Sequence, residues 1–156
     1  MKIETKRLIL RKHRLTDIDD LQEGMNNLGI SKFLAIAPYP YTHRDAERYI
    51  KGHIKRLKRK DSNKYSFLIE LKSNKKVIGG IGLRNIDLSN KTANIGYWIN
   101  KKYWRRGYGS EAVKAIISLA FNKLKLRRIE AGVIVGNKGS IKLLKKLRFK
   151  KFTNEL

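Results

Sequence analysis

Residues 97–111 read YWINKKYWRRGYGSE, and this stretch decides the fold. The apolar strand end Tyr97-Trp98-Ile99 gives way to a basic loop, and a helical pattern opens at Ser110. The first N–H groups of a helix have no intrahelical partner and sit at the positive end of its dipole. Gly107 and Gly109 lack a Cβ, so the backbone can approach a ligand closely. Arg105 and Arg106 add charge. Such a junction suits a phosphate or pyrophosphate. The alternative is a tight turn that needs glycine for geometry alone. The spacing is neither GxxxxGK[ST] nor GxGxxG after a first strand, which disfavours a P-loop and a dinucleotide fold.

Downstream, Ser110 to Leu124 places Ala112, Val113, Ile116, Ile117, Leu119, Ala120 and Leu124 at helical spacing. Residues 128–135, RIEAGVIV, predict a strand, and Asn137 opens a shorter helix with Ile141, Leu143, Leu144 and Leu147 apolar. Phe149 begins a last extended piece. Upstream, residues 65–71, 77–83 and 93–99 predict an antiparallel meander with turns near Ser73-Asn74-Lys75 and Ser89-Asn90. Thr42 followed by Asp45 is a capping-box variant. It opens a helix whose apolar positions are Ala46, Tyr49, Ile50, Ile54 and Leu57. Thr16 and Asp19 repeat that signature after a first strand at Arg7–Arg11. The order is β-α-α-β-β-β-α-β-α-β, an α/β (α+β) fold with a mixed, mostly antiparallel central sheet flanked by helices.

Composition narrows the class. The 156 residues hold 37 Lys+Arg against 13 Asp+Glu, a formal net charge of +24, and no cysteine. Disulfides, thiol nucleophiles and Cys-type zinc sites are therefore excluded. His13, His43 and His53 show no HxxxH spacing, and no metal site is expected. The start, MKIE, runs straight into a strand-like segment without a signal peptide, and no apolar run is long enough to span a bilayer. A cytoplasmic protein without membrane association is expected. The basic residues are spread along the chain rather than gathered in a tail. Charge of this kind speaks to partners, not fold.

The signature [Gln/Arg]-x-x-Gly-x-[Gly/Ala] between a strand and a helix marks the GNAT N-acetyltransferases, and residues 104–109 resemble it. Within that superfamily the chain is most similar to the Rim-type ribosomal-protein N-terminal acetyltransferases. The segments ETKRLILRKHRLTDIDDL, IGYWINKKYWRRGYGSEAV and Arg127-Arg128-Ile129-Glu130-Ala131 carry the likeness, together with Asn137-x-x-Ser140 before Leu143, Leu147 and Phe149. It extends from about residue 3 to residue 151. Trp104 stands at the Gln/Arg position, Asn94 where the branch often has glutamate, and Lys145 and Arg148 where it has Glu and Gly. The family normally continues through a further strand. A single acetyltransferase domain over 1–156 is therefore expected, its C-terminal strand missing and that edge either incomplete or completed by a second subunit in a dimer.

The resemblance implies acetyl-CoA as cofactor and direct attack of a primary amine on its thioester. It implies that backbone groups of Trp98, Ile99 and Asn100 pair with the pantetheine amides. The amides of Arg105, Arg106, Gly107, Tyr108, Gly109 and Ser110, next to Trp104, would cradle the pyrophosphate. Asn137 would bond the cofactor arm, and Lys142, Lys145 or Lys146 would reach the adenosine 3′-phosphate. Ser140, near the sulfur, is the candidate proton donor; its alternative is a helix N-terminal residue bonded to backbone. The Ile99 N–H is the candidate oxyanion donor. Tyr97, Glu70 and Glu130 are candidate bases, none singled out.

Phe33, Tyr39 and Tyr41 are expected to wall the acceptor site, with core packing as the alternative, and Asn94 is placed beside it. So basic a chain suits an acidic protein or a protein N-terminus better than a polyamine. A ribosome- or RNA-binding member without activity, and an acetyltransferase for a small amine, are the competing readings.

Overall fold

The computed structural model describes residues 1–32, 37–57, 65–132 and 137–150. Six strands form one sheet in sequence order: β1 (Ile3–Glu4), β2 (Leu8–Arg11), β3 (Ser66–Leu71), β4 (Val77–Asp87), β5 (Thr92–Ile99) and β6 (Arg128–Glu130). Every neighbouring pair is antiparallel except β5 and β6. The helices are α1 (Ile18–Met25), the single turn α2 (Leu28–Ser31), α3 (His43–Leu57), α4 (Tyr108–Ser118) and α5 (Lys138–Lys146). This is the expected mixed sheet with flanking helices. The short β1 and α2 are additions, because neither is long enough to show a period in sequence. Phe149 and Lys150 carry no strand, and the rest of the last extended piece lies outside the described residues.

Apolar alternation along the strands separates two cores. On one face Leu8, Leu10, Phe67, Ile69, Ile81 and Ile95 pack against Val113 and Ile116 of α4. On the other, Leu21, Met25, Ile30, Ala46 and Ile50 gather from α1, α2 and α3, with Trp98 of β5 against them. The Thr42–Asp45 box forms as expected: the Asp45 N–H donates to the Thr42 hydroxyl (3.1 Å) and the Thr42 N–H to the Asp45 carboxylate (2.9 Å). The earlier helix start differs. Asp17, not Thr16 or Asp19, closes that turn by accepting from the Arg14 N–H (2.8 Å), because its carboxylate is already held in the buried ion pair with Arg11.

His13 stacks on His53 at 4.2 Å between ring centroids. Burial first, then the neighbouring His53, pushes His13 down to about 3. The native state thus holds it neutral while the unfolded chain takes up a proton below about 6.5. Stability from this group is complete above that value and is lost as pH falls toward 3. Urea unfolding should show a declining stability between pH 6.5 and 4, with a shallower decline in His13→Leu. An unchanged slope in that variant would refute the assignment.

Candidate functional site

β5 is the platform of the site. β4 pairs along its length, whereas β6 pairs only through Thr92, Ala93 and Asn94. Beyond Asn94 the described strands leave one edge of β5 open. The Asn100 N–H donates to the Ile78 carbonyl across the β4 ladder (2.7 Å). Backbone groups alternate sides in an antiparallel pair. Asn100, Trp98 and Gly96 therefore direct theirs toward β4, and Ile99, Tyr97 and Ile95 direct theirs to the open edge. This corrects the expectation for Trp98 and Asn100, whose backbone groups face β4. The Asn100 side chain is also committed, accepting from the Lys102 N–H (3.0 Å). Ile99 does face the edge. Its carbonyl accepts the Trp104 indole N–H (2.6 Å), which fastens the basic loop to the strand and turns that indole N–H inward.

The loop then turns sharply. Arg105 and Gly107 lie at φ +60° and +81°. Gly107 caps α4 with no side-chain acceptor for the first-turn N–H groups. Those of Tyr108, Gly109 and Ser110 precede the first intrahelical bond, from the Glu111 N–H to the Gly107 carbonyl (3.0 Å). A Cβ on Gly109 would stand 2.9 Å from Leu143 and 3.7 Å from Ile99. Glycine there lets α4 begin hard against α5 and the end of β5. Arg105 and Arg106 are exposed.

Three residues that sequence reasoning missed hold this turn. Glu111 accepts from the Thr5 hydroxyl, the Arg7 N–H (2.9 Å) and the Arg7 guanidinium (2.8 Å). The same guanidinium donates to the Arg106 carbonyl (3.0 Å) and lies over the Tyr108 ring at 4.3 Å. Burial alone would push the Glu111 carboxyl up; the Thr5 and Arg7 bonds outweigh it and hold the group below the ordinary glutamate value. An open groove of about 620 Å³ runs beside this latch, lined by Arg7, Gly107, Ser110, Lys114 and Lys146 among others. Lys142 and Lys145 are exposed on α5. Uncapped amides, a left-handed glycine and cations at one groove fit a polyphosphate.

Across the open edge stand Tyr97 and Ser140. The Tyr97 hydroxyl and Ser140 Oγ are 2.7 Å apart. Ser140 is the third residue of α5, and its N–H donates to the Asn137 side chain, the N-cap (3.2 Å). Its N–H thus serves the cap while its hydroxyl meets Tyr97, which leaves that hydroxyl bonded to a side chain and not to backbone. The bond that caps α5 also takes up the Asn137 carbonyl oxygen. Burial raises the Tyr97 hydroxyl above its ordinary value, and the Ser140 bond only partly opposes this. Tyr97 is thus a proton holder, not a base, at neutral pH. Glu70 and Glu130 are engaged with Arg11 and Arg128.

The aromatic segment divides. Phe33 lies outside the described residues. Tyr39 is exposed at 55%. Tyr41 is 5% exposed within the second core, and burial pushes its hydroxyl up to about 12. Its N–H is held by the Asn26 side chain (3.0 Å). Tyr41 is therefore core, not acceptor wall. Asn94 is exposed between Arg84 of β4 and Glu130 of β6. No helix among the described residues is long and apolar enough to cross a membrane.

Known proteins share this fold. The family model described as "Acetyltransferase (GNAT) domain" matches residues 7–150. The N-acetyltransferase p20 of Bacillus licheniformis, itself uncharacterised, is 37% identical over 148 residues, covering 94% of this chain and 81% of that protein. A GNAT-family acetyltransferase from Bacillus anthracis superposes with a TM-score of 0.80 at 24% identity, over 94% of this chain and 82% of that one. RimL, a ribosomal α-N-protein acetyltransferase solved with coenzyme A, superposes at 0.74 with 19% identity and the same coverage. The two superpositions speak for the fold alone. The family model and the Bacillus licheniformis relative go further, since each takes in nearly the whole sequence: the chain belongs to the GNAT acetyltransferases, enzymes whose cofactor is acetyl-CoA.

Proposed function

We propose that this enzyme acetylates the N-terminal α-amine of a protein or peptide in the cytoplasm, with residues 1–156 acting as one domain. The observation that carries the reading is the Tyr97–Ser140 hydroxyl pair at the open β5 edge, with no unengaged carboxylate beside it among the described residues. Such a site can supply a proton but does not remove one. It suits an amine that is already partly neutral. An α-amine, with a pKa near 8, meets that condition, whereas lysine and polyamine groups near 10.4 do not.

When bound, acetyl-CoA supplies a thioester carbonyl as the acetyl donor. The first-turn amides of α4 with Arg105 and Arg106 would hold its pyrophosphate, and Lys146, joined by Lys142, would hold the 3′-phosphate. The Ile99 N–H would face the carbonyl oxygen. Ser140 would hold the proton for the departing sulfur, with Tyr97 orienting that hydroxyl, and the proton shed by the acetylated nitrogen would pass to water. RimL, a ribosomal α-N-protein acetyltransferase, is a neighbour in fold and supports the choice of acceptor.

Thiol release with acetyl-CoA tests the reading across N-terminal peptides, lysine peptides, polyamines and amino sugars. Turnover is expected for N-terminal peptides well above the rest. Faster turnover of a polyamine or amino sugar would overturn the acceptor, and the absence of any coenzyme A-dependent thermal shift would overturn the cofactor site.

A further inference from the structure

The face of β4 and β5 that looks toward α1 and α3 holds an arrangement the acetyl-transfer machinery leaves unused. Side chains alternate along a strand, so Asn94, Gly96 and Trp98 share this face. Trp98 marks it by packing on α1: a Cβ on Gly24 would lie 2.9 Å from the indole ring. Gly96 is paired in register with Gly82 of β4. Both positions lack a side chain: a Cβ on Gly82 would meet the Tyr65 carbonyl at 2.7 Å, whereas one on Gly96 would meet only the Arg84 guanidinium within 4 Å, so the bare backbone at Gly96 is the floor. That floor lies directly over the part of β5 whose other edge is open. Trp98 bounds it on one side. On the other stands the register pair Arg84 and Asn94. The Arg84 guanidinium reaches over the floor, with Nη2 3.7 Å from where a Gly96 Cβ would be.

Arg84 is exposed, and among the described residues no carboxylate lies within ion-pairing distance of it. Its nearest candidates in sequence and register are taken: Asp87 holds Asn90, and Glu130 holds Arg128. The neighbouring wall is Tyr49 tilted on His53, with centroids 4.2 Å apart. The cations of Arg84 and Arg56 both bear on these two side chains, and burial with those cations keeps His53 neutral. Among the described residues the floor is thus faced by an arginine without a counter-ion and by no anion.

We propose that this floor is the acceptor groove and that Arg84 is its specificity-determining residue, reading a carboxylate carried close to the amine that is acetylated. The assignment rests on the α-amine acceptor reading above. An arginine presents a planar fork that takes a carboxylate through two parallel hydrogen bonds. It repels an ammonium group. The same charge lowers the pKa of an amine entering beside it, which raises the neutral fraction where no base stands ready. The carboxylate can come from an Asp or Glu side chain just after the acceptor residue, or from the α-carboxylate of a free amino acid.

The test compares kcat/KM for peptides beginning Ser-Asp, Ser-Ala and Ser-Lys, and for free aspartate and glutamate, in the wild type, R84Q and R84E. The wild type should prefer the Ser-Asp peptide over Ser-Ala by about 10- to 100-fold, the worth of one charge-assisted contact. R84Q should lose that preference and R84E should favour Ser-Lys. Each variant should keep the coenzyme A thermal shift, which shows that the fold and cofactor site are intact. Equal rates across the wild-type peptides, or a preference that survives in R84Q, would overturn the role of Arg84 and leave the α-amine reading standing. Turnover of the free amino acids in place of the peptides would keep the carboxylate reading and overturn the peptide acceptor. No turnover of any acceptor by protein that binds coenzyme A would overturn both.

Discussion

Replacing Gly107 by valine should raise the dissociation constant for coenzyme A by about 100-fold or more and remove its thermal shift, with Tm of the free protein lowered by only several degrees. Gly107 sits at φ +81° as the N-cap of α4. A β-branched residue there costs roughly 1–3 kcal/mol of backbone strain. The loop can relieve it only by turning the residue out of the left-handed region, which re-aims the N–H groups of Tyr108, Gly109 and Ser110. Each charge-assisted contact so lost is worth about 1.5–3 kcal/mol, so two effects of similar size combine. A third acts in the same direction. The new Cβ would stand 3.3 Å from Arg7 Nη2, on the guanidinium that ties the Arg106 carbonyl and Glu111 together. Gly107→Ala should fall between valine and wild type. Gly139→Ala is the control, because a Cβ there meets nothing within 4 Å. Titration calorimetry separates these variants, and a valine variant that binds coenzyme A like the wild type would remove the loop from the cofactor site.

The loop was legible in the sequence because its chemistry is local. A glycine at a helix start, flanking arginines and a preceding apolar strand are contiguous in residues 97–111. The Thr42–Asp45 cap was legible for the same reason. What the sequence could not show depends on register or on distance along the chain. Whether Trp98 or Ile99 offers its N–H to the open edge turns on a single parity, set by the bond from Asn100 to Ile78. A shift of one residue would exchange their roles. Tyr41 sits in an irregular stretch with no period to reveal which way it points, and only the packing of α1 against α3 buries it. Arg7 and Glu111 are 104 residues apart, and no local signal joins them. Composition was blind in another way. A charge of +24 gives no means of telling Arg84, which lacks a counter-ion among the described residues, from Arg7, Arg11 and Arg128, which have one. The charge weighs against a cationic acceptor, and under the proposed reading the position of one arginine is where an anion would be read.

Ser140→Ala should lower kcat by about 100-fold or more, within the range of about 10²–10⁴ for loss of a positioned proton donor. Tyr97→Phe should cost less, because Ser140 keeps its place at the start of α5 through the Asn137 cap. The two hydroxyls meet at 2.7 Å, so they act as a unit, and groups that act as a unit are not additive. The double variant should therefore be no slower than Ser140→Ala alone. A purely structural bond would give a different pattern: a loss in Tm with kcat untouched. The pH profile distinguishes the two further. A proton donor must be protonated to work, and burial holds Tyr97 above the ordinary tyrosine value. The pair should stay competent through neutral pH and lose activity only as pH rises beyond the ordinary tyrosine range, and Tyr97→Phe should erase that alkaline limb. The helix dipole at the α5 N-terminus also favours negative charge beside Ser140, which eases release of its proton toward a departing thiolate. A Ser140→Ala enzyme with wild-type kcat would return the proton to water and leave Tyr97 and Ser140 as a clasp between β5 and α5.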